Sequence, residues 1–272
     1  MSNWPRHPLV YEINTWVWLH ELSLAHHRPV TLADVPAAAW DELAALHVDA
    51  IWLMGVWERS PAGIAVALEN RGLMADFQHA LPDFSPVDVI GSPFSVRRYR
   101  VDERLGGPEG LVMARGELKR RGLRLVLDFV PNHVAPDHHW LREHPEYFIS
   151  GDDADLAREP EAFFAVGEQV IARGRDPYFP PWPDVAQLNA FHPGMRAALA
   201  ATLREIAAQC DGMRCDMAML MMTDIFARTW GTRAGARPAA EFWPQTIAAV
   251  RRDFPEVLFI AEVYWDLEWD LL

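Results

Sequence analysis

Leu123-Arg124-Leu125-Val126-Leu127-Asp128-Phe129 is a short apolar run that delivers an acid near its C-terminal end, and the chain repeats the arrangement twice. Gly212-Met213-Arg214-Cys215 runs into Asp216, and Val257-Leu258-Phe259-Ile260-Ala261 runs into Glu262. A carboxylate at the end of a buried strand is costly unless it is paired or solvated, so a series of three calls for one cause. Helical patterns separate the runs. Pro193 to Gln209 places Met195, Leu199, Leu203 and Ile206 on one face. Pro108 to about Arg121 has its proline in the first turn and is closed by Gly122, and about Ala240 to Arg252 leads into the last run. Strands alternating with helices imply right-handed crossovers and a parallel sheet covered on both faces. In such sheets the reactive groups gather at the strands' C-terminal ends, where all three acids lie.

Working outward, Leu9 to Ile13 and Asp49 to Met54 read as two earlier strands. Asp34 is expected to cap the approach to a helix from about Ala37 to Leu46. A loop of roughly forty residues is expected after Met54, rich in Pro, Gly and aromatics. Val134 to Leu188 has many Pro, Asp and aromatic residues and little periodicity, and its aromatics predict a small packed excursion rather than disorder. No glycine-rich phosphate loop follows the first strand, which weighs against a dinucleotide fold.

Composition narrows the function classes. With 272 residues, 50% of them hydrophobic, the chain can build one large core or at most two domains. A formal net charge of −13 argues against nucleic acid or anionic membrane as a partner. No apolar run approaches the ~18 residues of a bilayer span. The stretch Met1 to Pro8 lacks the pattern of a secretory leader. Cys210 and Cys215 lack disulfide-framework and zinc-ligand spacing, so two reduced thiols and a cytoplasmic location are expected.

The strand ends carry the chemistry. Arg214 and Asp216 lie two apart on a strand and face the same side. An Arg beside an Asp is expected to keep it ionised and to lower its pKa, as a nucleophile requires, although the same pair can be a plain salt bridge. Asn132 and His133 offer donors and acceptors at a pocket mouth, while Asp137, His138 and His139 nearby leave a metal or structural site open. Glu262 emerges into Val263-Tyr264-Trp265, a poorly solvated setting that suits a general acid. One ionised and one protonated acid at a shared pocket form the apparatus of glycoside hydrolysis.

Asp128-Phe129-Val130-Pro131-Asn132-His133, Gly212 to Asp216, and Glu262 together resemble, in order, the first three conserved regions of the α-amylase family, glycoside hydrolase family 13. Their separations of 88 and 46 residues also suit that family. Tyr11-Glu12-Ile13 resembles its first strand, and His138-His139-Trp140 through Tyr147-Phe148 the start of its domain B. Leu188-Asn189 with Pro193 and Arg196 resembles the stretch ahead of its fourth strand. The resemblance implies an α/β fold of (β/α)8 TIM-barrel type, incomplete at about five β/α units, with a domain B-like excursion after strand three. The expected division is 1–133 for the first three units, 134–188 for the excursion and 189–272 for units four and five.

The resemblance implies roles residue by residue. Asp216 matches the nucleophile and Glu262 the acid/base. Arg214 would orient Asp216, Asp128 would brace Arg214, and His133 would contact the sugar. Phe94 stands where the family usually has a tyrosine that stacks on the sugar. Asn132 matches a position that binds calcium in many members, yet Gln187 stands where an Asp is common. Met219 and Leu220 replace a frequent Lys-His pair. Trp52, Trp57, Trp140 and Trp182 are further candidate sugar platforms. The implied partner is an α-glucan or maltooligosaccharide. The family's third carboxylate, an Asp preceded by His, does not occur between Glu262 and Leu272. The expectation is therefore a retaining α-glucan hydrolase or transglycosylase truncated before that acid, whose activity alone is doubtful and whose open barrel edges favour association. The alternative is a non-catalytic truncated product or sugar-binding remnant.

Overall fold

The computed structural model of the chain describes residues 4–271, so Met1 to Asn3 of the stretch read for a leader, and Leu272, lie outside it. Strand β1 (Val10–Asn14) passes into helix α1 (Thr15–His26), and α2 (Ala37–Ala44) leads to β2 (Ala50–Met54). The hairpin β3 (Trp57–Arg59) and β4 (Val96–Val101) encloses α3 (Pro61–Glu69) and α4 (Arg71–Ala80). Helix α5 (Gly107–Arg120) leads to β5 (Arg124–Phe129). There follow β6 (His133–Val134), α6 (Trp140–Glu143), β7 (Ser150–Gly151), α7 (Asp153–Arg158), β8 (Phe163–Val166), β9 (Gln169–Ala172) and β10 (Ala186–Gln187). Helix α8 (Pro193–Ala207) precedes β11 (Gly212–Cys215), and α9 (Thr223–Trp230) and α10 (Phe242–Arg251) precede β12 (Leu258–Ala261).

The five strands foreseen from apolar runs form one parallel sheet in the order β1-β2-β5-β11-β12. Neighbours in sequence are neighbours in space, as in part of a (β/α)8 barrel, and the sheet does not close among the described residues. Leu125, Val126, Leu127, Asp128 and Phe129 of the central strand are fully buried. Both faces of β5 are therefore covered, which is why its sequence is a continuous apolar run rather than an alternating one. On α8 the predicted stripe of Met195, Leu199, Leu203 and Ile206 is wholly buried. By contrast β12, at the sheet's edge, is half-buried or exposed along its length.

Two expectations are corrected. The stretch after Met54 is not an open loop: it holds α3 and α4, both begun by side-chain caps. Ser60 Oγ accepts from Gly63 N at 2.8 Å, and Asn70 Oδ1 from Gly72 N at 3.0 Å. The α3 segment Pro61-Ala62-Gly63-Ile64-Ala65-Val66-Ala67-Leu68-Glu69 lacks a polar face, so periodicity gave no signal. Asp34 does not cap α2, whose N-cap is Pro36; its carboxylate instead accepts from Thr31 N at 2.8 Å and pairs with Arg28.

The segment after β5 packs as a small antiparallel sheet, β7-β9-β8. Asp155 ties it to the rest of the fold. Its carboxylate accepts from both terminal nitrogens of Arg233, each at 2.7 Å, and these donors hold it well below the usual carboxylate range.

Candidate active site

Backbone register brings the acids together. In the parallel ladders Arg214 lies opposite Asp128 on one side and Ile260 on the other, and Cys215 lies opposite Ala261. The pairing runs on past the strand ends: Asp216 N donates to Phe129 O at 2.8 Å, and Glu262 N to Cys215 O at 3.0 Å. One step beyond Cys215 and Ala261, Asp216 and Glu262 stand side by side on the face that carries Arg214, by the two-residue alternation of strands.

Arg214 joins the two acids. Its Nη1 is 2.6 Å from Asp216 Oδ1 and its Nη2 is 2.6 Å from Glu262 Oε2. The guanidinium lies between the Trp52 and Phe94 rings, 5.0 Å from each centroid. Asp128, fully buried, forms no ion pair with Arg214. It accepts from Trp52 Nε1 at 3.0 Å and from Gly55 N at 2.8 Å. Asp128 thus holds the Trp52 indole that faces the Arg214 guanidinium.

Glu262 has two further donors. Met217 N reaches Oε2 at 2.8 Å, and the Tyr264 hydroxyl reaches Oε1 at 2.8 Å. Met217 takes a left-handed conformation at φ 43°, which a residue with a Cβ adopts at a cost of roughly 1–2 kcal/mol. That turn aims its amide at the acid. Neither contact was foreseen; Tyr264 entered the sequence reading only as an aromatic neighbour, and a strained methionine leaves no sequence signal.

Burial dominates the electrostatics. Asp216 is 4% exposed. Loss of water pushes its pKa up to about 7, the nearby Glu262 charge adds to the rise, and Arg214 opposes both. The expectation that Arg214 would lower this pKa is thus corrected, because desolvation outweighs the ion pair. Asp128 is likewise raised by burial, to about 6. Burial also drives the His133 pKa down to about 4, so its ring is neutral near pH 7. The His133 ring lies tilted against Trp182, centroids 5.1 Å apart.

Trp182, Met217, Tyr264 and Trp265 line one groove of about 800 Å³ with Asp176 and Phe179, directly beside Glu262. Trp57, in contrast, is core: it is buried and its Nε1 donates to Asp128 O at 2.8 Å. Trp140 packs with His138 and Tyr147, and Asp137 accepts from Ser60 Oγ at 2.6 Å. The Asp137-His138-His139 cluster is accordingly part of the packing.

Solved structures share this framework. An α-amylase from Lactobacillus plantarum superposes with a TM-score of 0.60 at 23% identity, over 94% of this chain and 45% of that one. The fold is that of the α-amylase family. A Nostoc punctiforme debranching enzyme matches the same α-amylase fold with a TM-score of 0.58 at 17% identity, over 99% of this chain and 50% of its own. The trehalulose synthase MutB matches at 0.59 and 19% identity, over 94% and 44%. Among curated sequences, a Bifidobacterium longum α-1,4-glucan:maltose-1-phosphate maltosyltransferase is 26% identical over 183 residues, 65% of this chain and 20% of that protein. A mouse amino acid transporter heavy chain is 26% identical over 102 residues, 38% and 11%. No protein-family model matches the chain. The chain thus spans at most half the length of these relatives.

Many members of the α-amylase family bind calcium at the position of Asn132, but the residues here do not fit the ion. Gln187, fully buried, donates through Nε2 to Asn132 Oδ1 and to Asn132 O, both at 2.9 Å. An amide nitrogen stands where a cation would need those oxygens. Among the described residues no group of three or more His, Cys, Asp or Glu is placed to hold a metal. Gln187→Leu, which strips Asn132 Oδ1 of the Gln187 donor and leaves Asn132 O with Leu188 N alone, is expected to lower stability by about 1–3 kcal/mol in denaturant unfolding. The wild-type melting temperature is expected to be unchanged by a chelator; a drop of several degrees would contradict the amide assignment. No helix among the described residues is long and apolar enough to cross a membrane.

Proposed function

We propose that the cleft is the machinery of a retaining α-glucan-active glycosidase or transglycosylase, with Asp216 as nucleophile and Glu262 as acid/base. The observation that carries this reading is the sharing of Arg214 between the two strand-end carboxylates, at 2.6 Å to each. Retaining chemistry needs its carboxyl groups about 5–5.5 Å apart, close enough to act on one bond, and a guanidinium shared by the two acids supports such a close pair. Glu262 would protonate the glycosidic oxygen while Asp216 attacks the anomeric carbon from the opposite side. Water or a second sugar, activated by Glu262 as base, would then release the glycosyl-enzyme. Oε2 already accepts two donors, so Oε1, facing the Tyr264 hydroxyl, is the oxygen that would carry the acid's proton.

Arg214 would hold Asp216 toward the sugar and stabilise its ionised form. Phe94, packed on Arg214, and His133, tilted against Trp182, would form the wall against the sugar ring, and Trp182, Tyr264 and Trp265 would extend it as aromatic platforms. The named activities of the amylase, debranching enzyme and maltosyltransferase support an α-glucan or maltooligosaccharide as substrate. The residues after β5 would serve as the domain B of this enzyme, between barrel segments 1–133 and 189–272.

The test is hydrolysis of a nitrophenyl maltooligosaccharide by the purified chain, with maltotriose binding measured in parallel. Turnover that Asp216→Asn abolishes is the expected result. A second reading is a non-catalytic chain that keeps sugar binding; the similarity to a protein named as a transporter heavy chain, and not as a glycosidase, supports only its non-catalytic part. It predicts maltotriose binding that persists in Asp216→Asn with no turnover in either protein.

A further inference from the structure

We propose that the groove of about 800 Å³ beside Glu262 is a leaving-group site for an aryl aglycone, an aromatic alcohol joined to the glucosyl unit, rather than for a further sugar. The proposal rests on the carbohydrate reading above and adds the chemical class of the group that Glu262 protonates.

The groove starts at the acid. Two of its lining residues hold the Glu262 carboxylate, Met217 through its amide on Oε2 and Tyr264 through its hydroxyl on Oε1, both at 2.8 Å. A group that takes the proton of Glu262 leaves alongside these two residues, into the space lined by Phe179, Pro180, Pro181, Trp182 and Trp265. In that cleavage a bond forms between Asp216 and the anomeric carbon while the glycosidic C–O bond breaks. The electron pair goes to the aglycone oxygen, which takes the Glu262 proton and departs as a neutral phenol.

The wall from Phe179 to Trp182 has no backbone donor left for a sugar. The Tyr178 and Phe179 amides donate to Asp176 Oδ1 at 2.6 and 2.9 Å, and the Trp182 amide donates to Gly174 O at 2.8 Å. Pro180 and Pro181 have no N–H. Asp176, only 4% exposed, is committed to those two amides, and the Tyr264 hydroxyl is spent on Glu262. On this wall that leaves the Trp182 indole N–H for a ring with several hydroxyls. A sugar seated here would exchange its hydrogen bonds to water for contacts with rings and prolines. An aryl ring gives up no such bonds and gains from the apolar surface it covers. The far side of the groove is held in place for a ligand. Arg228 donates to the Tyr178 hydroxyl at 3.0 Å and lies 5.0 Å from its ring centre, and Trp265 meets that ring edge-on at 4.7 Å. Trp265 and Asp266 both take left-handed backbone, at φ 67° and 61°, which residues with a Cβ adopt at a cost. Phe179 remains 63% exposed beside them. Aromatic surface kept open by fixed neighbours and a strained turn is the setting of a ligand clamp.

The test is calorimetry on the full chain with phenyl α-maltoside, maltotriose and maltose, which share a maltosyl unit and differ in what is joined to it. Phenyl α-maltoside is expected to bind about tenfold tighter than maltotriose, the scale of burying part of one ring. Phe179→Ala, at an exposed position, is expected to melt as wild type, to keep its maltose affinity and to lose most of the phenyl preference. Trp265→Ala is expected to lose that preference as well. Maltotriose binding as tightly as phenyl α-maltoside overturns the proposal, since the groove then serves a third sugar equally. So does a phenyl preference undiminished in both variants, which places the ring elsewhere. Failure of maltotriose and maltose to bind at all defeats the carbohydrate reading itself; sugar binding without the phenyl preference defeats only this inference.

Discussion

Arg214→Met is expected to be the most damaging substitution in the cleft, costing about 3–5 kcal/mol of stability near pH 8, the range for breaking a buried ion pair from one side. The reason is the shared guanidinium: without it, Asp216 and the neighbouring Glu262 face each other with no cation between them. Trp52 and Phe94 would also lose the charge they sandwich. Protonation relieves the repulsion between the acids, so the cost should shrink as the pH falls toward 4. Denaturant unfolding at pH 8 and pH 4 reads this directly. A loss below about 1 kcal/mol at pH 8, or an equal loss at both pH values, would show that Arg214 does not hold the acids.

Asp216→Asn is expected to act in the opposite direction on stability while abolishing glycosidic turnover. Burial raises the folded pKa of Asp216 from 3.8 to about 7, so between these values the native state binds more protons than the unfolded chain. The stability contributed by this group is fully present below the unfolded pKa and lost as the pH rises through about 7. At about 1.36 kcal/mol per unit the loss is bounded near 4 kcal/mol, and coupling to Arg214 and Glu262 reduces what one substitution recovers. The variant should therefore exceed wild type by about 1–3 kcal/mol at pH 8 and match it at pH 4. A variant less stable than wild type at pH 8 would mean that the ion pair, not desolvation, sets the energetics of this acid. Higher stability with lost function is the pattern of a strained site that the fold tolerates for its chemistry.

The same balance explains what the sequence disclosed and what it hid. The parallel sheet was legible because its inner strands β2, β5 and β11 are buried enough to need an apolar run, and because the intervening helix α8 carries its core residues at helical spacing. Helices α3 and α4 were hidden: the first has no polar face, and the second has no buried residue to mark a stripe. Asp128, Asp216 and Glu262 stood out because carboxylates at buried strand ends are anomalous. The pKa of Asp216 was read with the wrong sign because sequence displays the Arg214 charge but not the depth of burial. Gln187 was visible as a departure from an acid, yet its service as donor to both Asn132 oxygens emerges only from the antiparallel pairing of β6 with β10.

The most direct test of the account is covalent trapping of the nucleophile with 5-fluoro-α-glucosyl fluoride, followed by peptide mass spectrometry. Fluoride leaves without an acid's help, so the label should form on Asp216 in wild type and in Glu262→Gln, and should be absent in Asp216→Asn. A label on any other residue, or none in a chain that binds maltotriose, would contradict the assignment of this cleft to retaining glycosidic chemistry.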